Sequence, residues 1–326
     1  MRKNQPIAFY LAVICTTLFL AAAAPVSAKE YFVLRGDLHV HSDFSHDCDV
    51  PLAQVIEESI QTGYDFIALT EHNTQNHLLE DHSVSDLIVL PGYELTLQTA
   101  HINLLGIREF DENIGLITPK EVTDYLNYIH ELGGYASLNH PNDPNFPSRF
   151  KYNVPIDFIE VWNNARFGDD DLQTLNEWHE LLVEGRKVFA VSGTDAHKNH
   201  LNRSPFNNVY VTEKTVEAIL TSLKQGHNYI TATADGPDIQ LSYGDAIMGD
   251  IVEHAVGENI LLTIDRLGPK SVIRVFSDQG LELEFGGQQE VSITKELPMD
   301  GRSFYRVEVW TSSGSMVAIS NPIFID

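Results

Sequence analysis

Four short apolar runs in this chain each stop abruptly in a cluster of histidine and carboxylate, and that recurrence narrows the folds open to it. FIAL runs into Thr70-Glu71-His72-Asn73, LIVL into Pro91-Gly92-Tyr93-Glu94, YASL into Asn139-His140-Pro141, and VFAVS into Gly193-Thr194-Asp195-Ala196-His197. An apolar run of four or five residues, cut off by polar and turn residues, is the pattern of a strand buried on both faces. Further runs of β type lie at Phe32 to Val40, Ile102 to Ile107, Phe158 to Trp162 and Tyr229 to Thr233. Helical patterns lie between them at Leu52 to Gln61, Pro119 to Leu132, Leu172 to Val183 and Val216 to Lys224. The second has a written start and stop: Thr118 as N-cap, Pro119 at the first helical position, Glu121 completing a capping box, and Gly133-Gly134 at the end. Strand and helix alternating over about 200 residues imply a β/α barrel or a doubly wound sheet.

After Asp235-Gly236-Pro237 the pattern changes. Ile260 to Ile264, Val272 to Phe276, Val291 to Thr294, Phe304 to Trp310 and Val317 to Ile319 are short, β-branched and separated by Gly, Pro and Asp turns. These segments predict an α/β domain over 29–235 and a small all-β, sandwich-like domain over 236–326, whose edge could equally complete the surface of the first.

The first 28 residues read as a secretory signal peptide. Arg2 and Lys3 precede an apolar run from Ile7 to Ala24, and Val26-Ser27-Ala28 offers small residues for cleavage after Ala28. A periplasmic or secreted protein is expected, with Cys48 as its single cysteine and therefore no internal disulfide. The chain carries a net charge of −25. A surface this acidic repels nucleic acid and anionic lipid unless metal cations occupy the binding site, so neither is expected as a partner once the signal is removed.

His39 and His41 stand two apart in a strand, so both point to one face while Leu38 and Val40 point to the other. Asp37 shares the histidine face and can support them from behind. If the strand ends converge, as they do at the mouth of a β/α barrel, residues distant in sequence meet there. The set is then His39, His41, Asp47, His72, Glu94, His101, His140, Asp195 and His197. Six imidazoles and three carboxylates without a thiolate suit Zn, Mn or Fe, and nine donors exceed what one ion uses, so two or three divalent metal ions are expected. His46 reads as a solvent-exposed neighbour of Asp47. His77, His82, His130, His179, His227 and His254 read as ordinary surface or core histidines, and Cys48 as a small buried apolar residue.

The ordered series His-x-His-Ser (39–42), Thr-Glu-His-Asn (70–73), Gly-x-Glu (92–94), Asn-His-Pro (139–141) and Thr-Asp-Ala-His (194–197) resembles the polymerase and histidinol phosphatase (PHP) superfamily. The similarity covers about residues 33 to 235 and leans toward the CehA/McbA-like branch of hydrolases, several of which carry a β-rich tail ending near Ser-Asn-Pro-Ile. The resemblance implies a distorted seven-stranded β/α barrel and up to three metals. It also implies metal binding by His39, His41, Asp47, His72, Glu94, His101, His140, Asp195 and His197, with Glu71 in support.

Paired metals of this kind give a bridging hydroxide at neutral pH and stabilise charge on the attacking and leaving oxygens. Three carboxylates against three divalent ions leave the pocket cationic, which favours a small anionic phosphate mono- or diester over a neutral carbamate or carboxylic ester. Fixed cations that bind non-bridging oxygens are sought in Arg166, Lys198 and Arg149, with His200 close enough to the last motif to assist. The expectation is an exported metal-dependent phosphoesterase. The alternatives are a carbamate or carboxylic ester hydrolase at the same centre, or a non-catalytic metal- or glycan-binding protein.

Overall fold

The computed structural model describes residues 30–112, 115–198, 201, 204–286 and 292–326. The expected signal peptide 1–28 and the candidate His200 lie outside the described residues. The fold is mixed α/β, with many strands and four α-helices among the described residues.

The first part runs β1 (Phe32–Val40), α1 (Leu52–Thr62), β2 (Phe66–Leu69), β3 (Ile88–Thr96), β4 (His101–Leu105), α2 (Pro119–Glu131), β5 (Tyr135–Leu138), β6 (Phe158–Asn163), α3 (Asp169–Val183), β7 (Phe189–Gly193), β8 (Phe206–Val211), α4 (Val216–Lys224) and β9 (Asn228–Thr231). Helix α2 has the capping box expected of Thr118 and Glu121, with Pro119 in its first turn. Strands β1 to β7 lie side by side in chain order. The pairs β1–β2, β2–β3, β5–β6 and β6–β7 are parallel, whereas β4 runs antiparallel to both β3 and β5. All seven are wholly or largely buried, which is why they read as near-continuous apolar runs.

Beyond β7 the chain returns to β1 without a backbone ladder. Asp195 N–H donates to His39 O at 2.9 Å and His41 N–H donates to Ala196 O at 3.3 Å. Along the remaining edge of β7, side chains take the place of a neighbouring strand. The N–H groups of Ala190, Ser192 and Thr194 donate to Asn321 Oδ1, Asn207 Oδ1 and Asp37 Oδ1. The Ala190 and Ser192 carbonyls accept from Asn321, Asn228 and Asn207 amides. Buried backbone groups must be satisfied, and at this edge side-chain amides and one carboxylate do it.

The second part contains β10 (Asp238–Tyr243), β11 (Ala246–Ile247), β12 (Ile251–Val252), β13 (Asn259–Asp265), β14 (Val272–Ser277), β15 (Gly280–Gly286), β16 (Ser292–Pro298), β17 (Phe304–Trp310), β18 (Met316–Ser320) and β19 (Ile323–Ile325). One sheet has the order β11-β10-β13-β16. The other strands join the first sheet, because β18 pairs antiparallel with β9 through Ala318↔Thr231, Ile319↔Ile230 and Ser320↔Tyr229. The expected boundary at 235/236 therefore falls between strands, and hydrogen bonds cross it. Alternate residues of β10, β13 and β14 point inward, and Leu241, Leu262 and Ile264 share one core with Ile273, Val275, Val307 and Val309. On the outer side Arg306 is fully buried between Trp178 of α3 and Phe276, with Glu308 at 2.7 Å, and this packs the second part onto the first.

Candidate metal centre

The reversed strand β4 explains how nine donors reach one end of the sheet. His41, His72, Glu94, His140, Asp195 and His197 lie at or just beyond the carboxyl ends of parallel strands, but His101 is the first residue of β4. Because β4 is antiparallel, its amino end sits at the same rim, and the register pairs Thr96 with His101. Glu94 occupies the middle. Its Oε1 is 3.4 Å from His39 Nε2, 3.2 Å from His101 Nδ1 and 3.8 Å from His140 Nε2, while Oε2 is 2.6 Å from His72 Nδ1 and 3.6 Å from His41 Nε2. Asp195 Oδ1 is 3.2 Å from His41 Nε2, 3.4 Å from His39 Nε2 and 3.5 Å from His197 Nδ1. Asp47 forms the outer wall, 3.5 Å from His72 Nε2 and 3.4 Å from His197 Nε2. Three overlapping donor groups result: His39, His41 and Glu94; Glu94, His101 and His140; and His41, His72 and His197.

Several donor atoms are buried without a hydrogen-bond partner, namely His39 Nε2, His41 Nε2, Glu94 Oε2, His140 Nδ1 and Asp195 Oδ1. Buried polar atoms left unpaired are costly, and His39 Nε2, His41 Nε2 and Asp195 Oδ1, which face one another, fit divalent cations as their missing partners. Burial opposes charge on His39, yet Asp195, Glu160 and Glu94 outweigh it and carry its pKa well above the usual value. Burial also opposes charge on Glu94 and Asp195, but the surrounding imidazoles hold both carboxyls well below the ordinary range. His41 goes the other way, pushed down to about 4 by burial. His140 rises to about 9, because hydrogen bonding to Glu94 and the charges of Asp195 and Glu160 exceed its burial cost. The backbone is bent to this purpose at two ends: His140 and Asp195 have φ of 28° and 51°, a region non-glycine residues seldom adopt.

Supporting groups fix the rings. Asp37 accepts from Thr194 N–H, Thr194 Oγ1 and His39 N–H, so it joins β1 to the segment carrying Asp195 and touches backbone rather than a donor ring. Burial raises its carboxyl to about 7. Glu71 accepts from Ser42 and Ser45, and Ser45 Oγ in turn lies 3.1 Å from His41 Nδ1. Glu160 of β6 is a supporting residue that the strand-end reading misses. Its Oε1 is 2.9 Å from His39 Nδ1, and its Oε2 accepts from His140 N–H and Asn163 Nδ2. A lone carboxylate inside the buried run FIEVWN was the available signal.

The remaining candidates divide. Arg149 lines a cleft of about 500 Å³ that opens beside His101 and Thr96, whereas Arg166 and Lys198 lie outside that lining. His46 is exposed, and His77 is buried with Nε2 at 2.8 Å from Gly92 O. Cys48 is buried and donates to His197 O.

Known proteins resemble the chain over part of this rim. Residues 37–147 match the family model of the PHP domain. The matched PHP segment holds His39 through His140, and Asp195 and His197 lie beyond it. A two-domain protein from Bacteroides vulgatus that contains a predicted PHP-like metal-dependent phosphoesterase has a similar structure, with a TM-score of 0.50 at 14% identity over 90% of this chain and 96% of that one. Its likeness shows a shared fold. The soluble domain of PmoD from Methylocystis aligns over 28% of this chain and 90% of its own at 11% identity, and its TM-score of 0.22 is too low to indicate a common fold. No curated protein sequence matches the chain.

Proposed function

We propose that this protein is an exported metal-dependent phosphoesterase of the CehA/McbA-like branch, holding two or three Zn, Mn or Fe ions. The observation that carries the reading is the convergence of nine nitrogen and oxygen donors at one rim, among them buried His39 Nε2, His41 Nε2 and Asp195 Oδ1 that lack hydrogen-bond partners among the described residues. The two hydrogen bonds that return residues 195–196 to β1 support reading β1–β7 as a distorted seven-stranded barrel with the site at its mouth.

Bound divalent ions supply a hydroxide at neutral pH and neutralise charge on the scissile group. The chain's own residues do the rest. Glu94 reaches five imidazoles and, with His39, His41, His101, His140 and Asp195, would hold ions in the buried part of the rim, while Asp47, His72 and His197 would hold one toward solvent. Glu160 and Ser45 hold the Nδ1 sides of His39 and His41, which leaves each Nε2 directed at the cluster. Partial exposure of Asp47 and His197 leaves the outer side open to a substrate.

Metal quantification of the purified protein, coupled to turnover of a phosphomonoester, a phosphodiester and an aryl carbamate, tests the reading. Phosphoester turnover that disappears on replacing His39 or Asp195 by Ala, with the fold retained, is the expected result. Carbamate turnover alone would move the protein to the neutral-ester reading, and metal occupancy without turnover of any ester would make it a binding protein.

A further inference from the structure

The cleft beside His101 has a lining unlike the rest of this acidic protein. The chain has 46 acidic and 21 basic residues, yet no Asp or Glu lines the cleft, and its charged member is Arg149. The Arg149 guanidinium makes no hydrogen bond or ion pair with any described residue, whereas many other cations here are paired. Part of the lining is apolar. Phe146 is 57% exposed, and its ring stacks on His101 with centroids 5.3 Å apart and planes 29° from parallel. Leu97, Ala100 and Pro147 also line the cleft.

The ring is held where it is by an ordered loop. Phe146 N–H donates to Asp143 Oδ1, Ser148 N–H to Pro141 O, and Arg149 N–H to Thr99 O at 2.7 Å, which ties the loop to the turn between β3 and β4. The same loop begins at His140, so a donor at the rim and the two distinctive groups of the cleft share one short segment. A volume of about 500 Å³ falls in the range of small-molecule sites, roughly 300–1,000 Å³. What sets Phe146 apart from other exposed apolar residues is its place in a cleft, stacked on a candidate metal ligand and sharing the lining with an unpaired guanidinium.

We propose that this cleft is the subsite for the organic group of the substrate, and that it selects anionic esters bearing a planar unsaturated ring, stacked on Phe146 and with negative charge near Arg149. The proposal rests on the phosphoesterase reading above for the word ester, but the subsite itself is tested by binding. Aromatic stacking with apolar burial gives the ring a preference, and an unpaired guanidinium favours any anion with or without a ring.

The test uses the metal-loaded protein and two non-hydrolysable probes, phenylphosphonate and methylphosphonate, measured by calorimetry. Phenylphosphonate is expected to bind about tenfold more tightly. Phe146→Ala should remove that preference while leaving methylphosphonate affinity within about twofold, and Phe146→Trp should keep it. Arg149→Gln should weaken both probes alike. Equal affinities in the unaltered protein, binding of neither probe, or a phenyl preference that survives Phe146→Ala would overturn the subsite. Hydrolysis of phenyl and methyl phosphate, followed in parallel, separates the two readings: no turnover with the phenyl preference intact removes the esterase and keeps the subsite, and turnover without preference does the reverse.

Discussion

His39 Nδ1 and Glu160 Oε1 lie 2.9 Å apart in a buried pair that joins β1 to β6 across 121 residues of sequence. A ligating imidazole usually hands its second nitrogen to a carboxylate, which fixes the tautomer and raises the basicity of the nitrogen facing the metal. Glu160→Gln keeps the shape and removes the charge, and metal affinity should fall about 10- to 100-fold while the thermal midpoint of the chelated protein moves little. A chelator competition titration reads this directly. Unchanged affinity would reduce Glu160 to a packing residue.

Gly193 allows β7 to approach β1. A Cβ there would lie 2.2 Å from His39 Cβ and 2.3 Å from Glu160 Oε1, and neither atom can move without disturbing the centre. Gly193→Ala should destabilise the protein by about 1–3 kcal/mol in urea unfolding and lower metal occupancy as well. A variant with native stability and full occupancy would mean that the two strands have room to part.

Glu177 of α3 gathers Lys151 at 2.8 Å, Tyr152 OH at 2.7 Å and Asn142 Nδ2 at 2.9 Å, and so fastens the loop that carries Phe146. Burial works to raise its carboxyl, but these hydrogen bonds outweigh it and lower the pKa from 4.5 to about 2. A carboxyl depressed in the folded state contributes stability that is present above its unfolded pKa and lost as pH falls through its folded one. The stability difference between the protein and Glu177→Gln should therefore be constant above pH 4.5 and shrink toward pH 2. Urea midpoints across that window check it. A difference that does not change with pH would show that the carboxylate's charge contributes nothing.

Asn321 accepts from Ala190 N–H at 2.8 Å and donates to Ala190 O and Asn228 O, each at 3.0 Å. Asn321→Ala leaves the buried Ala190 N–H of β7 without its partner, while Ala190 O keeps Asn228 Nδ2, and should cost about 1–3 kcal/mol. Faster hydrogen exchange confined to residues 189–193 would locate the effect. Uniform exchange would argue against local opening.

The clustering of His72, Glu94, His140, Asp195 and His197 was legible because each follows an apolar run at a strand end. The orientation of β4 was not legible, since a sequence does not say whether HINLL runs parallel or antiparallel to its neighbours. Strand β8 escaped notice because Asn207 and Asn208 interrupt FNNVYV, although both are buried and bond to adjoining backbone. Glu160 was lost in the same way, as one polar letter in an apolar word. Helix α3 begins at Asp169, ahead of the expected Leu172, because three aspartates that look like a loop suit the positive end of a helix. Strand β10 was passed over because the Asp and Gln of DIQLSY mask its alternating burial.

The dependence of β7 on Asn321 also sets an order of events. A ribosome delivers the chain from its amino end, so all nine donors exist before Asn321 does. Until that residue arrives, Ala190 keeps a bare amide on the strand that leads into Asp195 and His197. A cation met during synthesis would find mobile histidines in an unfinished frame and would be sorted by intrinsic affinity alone. Discrimination by geometry, and with it the identity of the resident ion, belongs to the compartment in which the completed polypeptide folds.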